Sequence, residues 1–395
     1  MRSWRIESAL ACSIISLLAG GVAVGQERAK KPALAVIDAK DAAHWQAVAQ
    51  EAGWQTIVPG GASSDPIDTR ALAMAAAVRS AIQNGGADPA RVYLAGRGDS
   101  AASVFYIVSR LPDMFAAGIA IGGSPEAALS TGRIYTVNFS NCPVLWVTGN
   151  DADEATAQKL KAAGMWMEWR FARETKNADV FAWLAARTRD PFPLDVDCET
   201  DSPTFASCFW LTPGKFDLSE ANDVLPRTLV ATAAPAALDL GAFGYKPDDP
   251  GPGVLISHLP EKYSGPLKLG DRITALEGHP IADAHEFQAM MSKATEEAHA
   301  VVMVQRGKVR TRVETRILVP HHDFVPTARV QGKYDPAQKQ ILIISRTVTE
   351  MRVEIPEAWA GASLLWNGLA LEKIDKPGCV LLTIDKELLH AGTCP

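Results

Sequence analysis

The chain has 395 residues, 47% of them hydrophobic and 21% charged, a balance ordinary for soluble globular protein and enough for two or three domains. Its formal net charge of -6 at pH 7 leaves no basic footprint of the kind nucleic acid requires, so nucleic acid is not an expected partner. Residues 1–25 have the layout of a secretory signal: Arg2 and Arg5, an apolar run from Ala9 to Val24, then Ala23, Val24 and Gly25 as a small-x-small cleavage site before Gln26. The alternatives are weaker, because the run is short for a membrane span and little apolar sequence precedes Cys12, the residue a lipid anchor would use. The expectation is an exported protein, periplasmic or secreted, with no stable membrane insertion once the signal is cleaved.

Export changes how the cysteines are read. Cys198 with Cys208, and Cys379 with Cys394, are close pairs and candidates for disulfides in an oxidising compartment, with Cys142 left as a buried odd thiol. None forms a C-x-x-C pair, so neither a metal nor a cofactor is expected.

From 30 to 190 strand and helix patterns alternate, which predicts an α/β domain with a parallel sheet covered on both faces. The strand candidates are 34–37, 55–58, 92–95, 118–121, 144–148 and 167–171. Helices are predicted at 42–53, 70–84, 100–110, 153–163 and 178–187. Between the third strand and its helix stands Gly96, Arg97, Gly98, Asp99, Ser100, a sharp turn followed by small residues.

This turn resembles the nucleophile turn of α/β-hydrolases of the esterase and acyl-peptidase type, which carry Gly-x-Ser-x-Gly there so that the backbone can pinch and lift the serine oxygen over the sheet. The strand order expected for 30–190 is similar to the central strands of that fold, with its first hairpin strands absent. Gly98 occupies the nucleophile position, so the frame is present and the oxygen is not. The family's base is a histidine beyond the last strand, and from Trp45 to Ser257 this chain has none. Its oxyanion loop is commonly His-Gly followed by more Gly, whereas here Asp38, Ala39, Lys40, Asp41 follow the first strand. Asp151 and Asp153 fall where the family places its triad acid, and with no histidine to orient they read as a turn and a helix cap. Ser100, two residues past the nucleophile position, lies inside the first helical turn and points along the helix. Arg97, Gly98, Asp99 also spells an integrin-type tripeptide, which a turn packed on a sheet edge presents badly. The expectation is a hydrolase-shaped domain without catalytic residues.

Residues 191–235, rich in Pro, Asp and Thr, read as a linker with short strands. The segment 236–320 resembles a PDZ domain of the bacterial exported type. Leu240, Gly241, Ala242, Phe243 match its carboxylate loop; Leu267 to Ile273 and Glu277 to Ile281 match its Leu-x-x-Gly-Asp-x-Ile and Asp-Gly-x-x-Ile core. A helix over 283–293 and a strand over 300–305 complete the unit. One departure stands in it, Lys262, Tyr263, Ser264, Gly265, Pro266 in place of the usual small pair. The resemblance implies capture of a peptide or protein C-terminus by strand addition, with main-chain donors from Gly241 and Ala242 and a pocket on the helix. Two alignments of that helix stay open: either Ala284 with Gln288, or His285 with Ala289, faces the groove.

Residues 321–395 predict a small antiparallel β module with strands at 340–345, 350–355, 363–371 and 380–384, sharing its sheet with strands from 205–235. Asn367-Gly368 is a hairpin signal there. His321 and His322 are adjacent, a spacing that makes no metal site by itself. The functional expectation is an exported, non-catalytic scaffold that binds peptides or protein C-termini. The competing expectation is an active serine hydrolase or peptidase of unusual design, with the PDZ-like unit recruiting substrate.

Overall fold

The computed structural model describes residues 30–61, 65–222, 224–228, 236–294, 296–319, 325–371, 373–385 and 388–395. The expected signal segment, and His321 with His322, lie outside the described residues. Among those described, no helix is long and apolar enough to cross a membrane.

The first unit alternates β1 (Lys31–Val36), α1 (Ala42–Glu51), β2 (Gln55–Ile57), α2 (Ile67–Gln83), β3 (Ala87–Arg97), α3 (Ala101–Arg110), β4 (Ala117–Ile121), α4 (Glu126–Leu129), β5 (Val144–Thr148), α5 (Asp153–Ala162), β6 (Met167–Phe171) and α6 (Asn177–Ala185). All six strands are parallel, in the order β2-β1-β3-β4-β5-β6. A sheet buried on both faces needs strands that are apolar at every position, and Val92 to Ala95 at its centre are all fully buried. Because successive side chains point to opposite faces, the strands feed two separate cores. Ala33, Ala35, Val92 and Leu94 pack with α2 and α3; Leu34, Val36, Tyr93 and Ala95 pack with Trp45, Val180 and Trp183 on the other side. Helix α3 is buried at all ten positions, the pattern of a helix enclosed on every side.

The second unit is a two-sheet sandwich. Its strands are β7 (Asp195–Thr200) and β8 (Leu211–Phe216), then, after an excursion, β16 (Ala328–Asp335), β17 (Gln340–Arg346), β18 (Val348–Ile355), β19 (Ser363–Trp366), β20 (Leu369–Leu371), β21 (Gly378–Asp385) and β22 (Leu388–Thr393). One sheet runs β20-β19-β17-β16-β7 and the other β22-β21-β18-β8. Residues 191–235 therefore do more than link: they supply one edge strand to each sheet. Between the sheets lie Trp210, Trp359, Trp366, Met351 and Ile341. Gly332 is required there, since a Cβ would stand 2.5 Å from the Trp210 ring. Disulfides join Cys198 to Cys208 and Cys379 to Cys394, and Cys142 is a free, buried thiol.

Buried polar groups dock the sandwich on the first unit. Arg110, 2% exposed, pairs with Asp201 at 2.5 Å, and Arg133 bridges Asp201 (3.2 Å) and Asp68 (2.9 Å). Tyr106 donates to Asp68 at 2.6 Å, and burial together with that carboxylate pushes its phenol up to about 12. Deeper in the sandwich, Glu199 accepts from Arg346 at 2.9 Å and from both the N–H and hydroxyl of Thr228 at 2.8 Å, so its buried charge is paired and hydrogen-bonded.

The excursion between β8 and β16 forms a third unit with its own core. It comprises β9 (Ala237–Leu238), β10 (Gly244–Tyr245), β11 (Val254–His258), β12 (Arg272–Leu276), β13 (His279–Pro280), α7 (Ala284–Lys293), β14 (Ala298–Arg306) and β15 (Val309–Leu318). Its main sheet runs β10-β11-β12-β14-β15-β9, with β13 paired to β12. The core gathers Leu238, Leu240, Val254, Ile256, Leu267, Ile273, Phe287, Met291 and Val302. Asp271 ties its ends: 1% exposed, it accepts from Lys268 N at 2.7 Å and from Arg306 Nε and Nη2 at 2.8 and 2.6 Å.

Candidate functional site

Two places carry chemistry that the sequence singles out. The first is the turn at the carboxyl end of β3. Gly98 has φ +57°, in the left-handed region that side chains resist, and a Cβ there would meet nothing within 4 Å. A side chain at 98 would thus stand in open space beyond the sheet. The neighbours are as tight as such a turn demands: a Cβ on Gly96 would overlap the Ser100 carbonyl oxygen, and one on Gly123 would overlap that of Gly98. Gly122 and Gly123, both at positive φ just after β4, pack against the turn.

Among the described residues, no polar side chain that the sequence singles out at this turn is hydrogen-bonded to a histidine. Ser100 is 3% exposed, and its hydroxyl donates to Arg97 O at 3.0 Å while accepting from Arg97 N at 2.8 Å. It closes the turn. Asp38 accepts from Lys40 N at 3.0 Å, and the Lys40 ammonium lies 3.2 Å from Asp38 and 3.6 Å from the fully exposed Asp99. The hydrogen bond to Asp38 holds that ammonium above its ordinary range, the wrong direction for a base working near neutral pH. Asp151 is an exposed turn residue. Asp153, in the first turn of α5 rather than at its cap, accepts from Thr148 Oγ1 at 2.5 Å. After β6, where the resemblance would place a histidine, the chain reads Ala172, Arg173, Glu174 in a short 3-10 turn.

The second place is a cavity of about 280 Å³ in the third unit. The loop Gly241, Ala242, Phe243 and the short strand β10 form one wall; Phe287, Gln288 and Met291 of α7 form the other. Leu238, at the end of β9, completes its apolar lining. Of the helix residues in the two alignments, Gln288 lines the cavity and its amide donates to Tyr245 Oη at 2.8 Å, while Ala284 is buried one turn before it. His285 and Ala289 are exposed and away from the lining. Leu240 is 2% exposed and anchors the loop, its N–H donating to Leu238 O at 2.8 Å. Gly241 turns the loop at φ +77°. The N–H groups of Gly241, Ala242 and Phe243 have no hydrogen-bond partner among the described residues. Among the described residues, strand β10 ends its sheet and no strand pairs along its outer edge.

No family model matches this chain, and no curated protein matches it. Among solved structures the chain is similar to the esterase PE8, at 16% identity over 40% of this chain and 93% of that one, with a TM-score of 0.30. A thermostable esterase aligns at 15% identity over 40% of this chain and 55% of its own, with a TM-score of 0.31. A SOBER1 variant from Arabidopsis thaliana aligns at 15% identity over 40% and 99%, with a TM-score of 0.29.

Sequence reasoning named the loop and part of the helix wall but missed Phe287, Met291 and Tyr245. The spacing Ala284, Phe287, Met291 is an amphipathic stripe and marks the buried face of α7, which was the available signal.

Proposed function

We propose that the protein is an exported, non-catalytic scaffold: a hydrolase-shaped domain without hydrolase chemistry carries a PDZ-like unit that captures the C-termini of peptides or proteins. One observation carries the reading, the cavity between the 241–243 loop and α7 with three unpaired N–H groups at its edge. A terminal carboxylate accepts from successive main-chain donors, which a left-handed residue among ordinary ones turns toward one concave side. The last side chain enters among Leu238, Phe243, Phe287 and Met291, where burying an aliphatic group contributes about 1.5–3 kcal/mol. Upstream residues pair with the outer edge of β10, so main-chain hydrogen bonds add affinity without adding sequence preference. Micromolar dissociation constants, near -8 kcal/mol, are expected. Two disulfides suit an oxidising compartment.

The test is selection of peptides from a library displayed with free C-termini by the full chain. Enrichment of apolar terminal residues supports the reading, and absence of any C-terminal selection defeats it. In parallel, a fluorophosphonate probe reports on the competing hydrolase reading. Stoichiometric labelling of a serine sinks the claim that the first domain is non-catalytic.

A further inference from the structure

The segment Lys262 to Pro266, where the sequence departs from the PDZ pattern, stands directly behind the carboxylate loop. The Tyr263 hydroxyl donates to the carbonyl oxygen of Leu240 and accepts from Leu267 N at 3.2 Å. Leu240 and Leu267 are both core residues, so this hydroxyl links the base of the loop to the interior of the unit. The ring lies under Gly241, where a Cβ would stand 2.9 Å from Cε2. Close approach from below depends on Gly265, since a Cβ there would overlap both Leu240 O and Tyr263 Oη.

This contact has an electrostatic consequence for the cavity. A carbonyl oxygen facing a bound carboxylate would repel it, and Leu240 O is the last carbonyl before the three free donors. Tyr263 engages that oxygen from one side, so the N–H of the same trans peptide, on Gly241, points the opposite way. A preorganised set of donors favours a full negative charge over a neutral amide, since hydrogen bonds to a charged acceptor are the stronger ones. We propose that Tyr263 is the specificity-determining residue of the groove, the positioning group that makes it select a free terminal carboxylate over a capped or internal peptide end. The inference rests on the peptide-binding reading above and adds to it which residue outside the loop sets the ligand class.

The experiment measures binding of one fluorescent peptide with an apolar last residue, as free acid and as C-terminal amide, to the full chain and to Tyr263→Phe. The wild type is expected to prefer the acid by more than tenfold. Tyr263→Phe keeps the ring and loses the hydroxyl; binding of the acid is expected to weaken about tenfold while binding of the amide does not change. Gly265→Ala, which leaves Tyr263 in the chain but displaces its hydroxyl, is the second variant and is expected to give the same collapse of the acid-to-amide ratio. Hydrogen exchange at Ile273 and Val302 confirms that each variant keeps the core. An unchanged ratio in both folded variants, or equal weakening of acid and amide, overturns the role of Tyr263 and leaves peptide binding standing. Failure of the wild type to bind either peptide overturns both.

Discussion

Asn138 and Glu199 meet across the boundary between the first two units as one strand meets another: the Asn138 carboxamide accepts from Glu199 N and donates to Glu199 O, both at 2.8 Å. The same amide nitrogen also donates to Ser109 O on α3, at 2.5 Å. One side chain, 3% exposed, thus satisfies main-chain groups of two units. Replacing it strands those groups, at about 1–3 kcal/mol each. Asn138→Ala is expected to lower the denaturant midpoint of the α/β domain and the sandwich together. Separate shifts in near-ultraviolet and tryptophan signals would contradict a shared transition.

Restoring the missing oxygen is not expected to restore catalysis. Gly98→Ser places a hydroxyl in open space, but among the described residues nothing lies within 4 Å of the Cβ to act as a general base, a group worth roughly 10²- to 10⁴-fold. The variant also holds a side chain at φ +57°, a strain of about 1–2 kcal/mol. It is expected to be less stable than the parent and inactive on short acyl esters. Clear turnover would mean a base elsewhere on the turn.

Thiol accounting follows from the bridges. Mass mapping is expected to give Cys198–Cys208, Cys379–Cys394 and one thiol, Cys142, that alkylates only after unfolding, because burial pushes it well above the ordinary thiol range. Removing either bridge is expected to lower stability by about 2–4 kcal/mol.

The third unit carries its own acid sensitivity. Burial works against the ionised form of Asp271, but hydrogen bonds from Arg306 and Lys268 N prevail and hold its carboxyl below the usual range. A carboxyl depressed on folding contributes stability above its unfolded value, roughly pH 4, and the contribution is lost as pH falls through the folded value. Asp249, hydrogen-bonded by Arg272, acts in the same direction. The melting midpoint of this unit is expected to be flat near neutral pH and to drop below about pH 4. Asp271→Asn should flatten that drop only in part, as followed by exchange at β12 and β14.

The α/β domain is the most legible part of the fold in sequence, because its strands are unbroken apolar runs such as Val92 to Ala95, set between Arg91 and Gly96. Hairpins with left-handed pairs were equally plain: Asn367-Gly368 (φ +48° and +86°) turns between β19 and β20, and Glu277-Gly278 (φ +51° and +80°) between β12 and β13. Strand β7 was hidden by its charges, since Asp197 and Glu199 serve buried ion pairs with Arg329 and Arg346 that only distant chain supplies. Strand β22 hid for the opposite reason, as its residues are mostly exposed and show no core face. At the groove, the loop was legible from its Leu-Gly step. Tyr263 was visible only as a misfit, because the contact that explains it spans 23 residues.

The placement of the third unit between β8 and β16 sets a timetable. As the chain emerges from its amino end, the α/β domain can close first, but β7 and β8 then wait without partners until residues beyond 328 arrive. The inserted unit, complete by residue 318, has every strand it needs before its host does. Meanwhile Glu199 has no cation to pair with until Arg346 follows it 147 residues later, and Cys198 and Cys208 are both in place while seven of the nine strands of their sandwich are still missing. The guest is finished before the house.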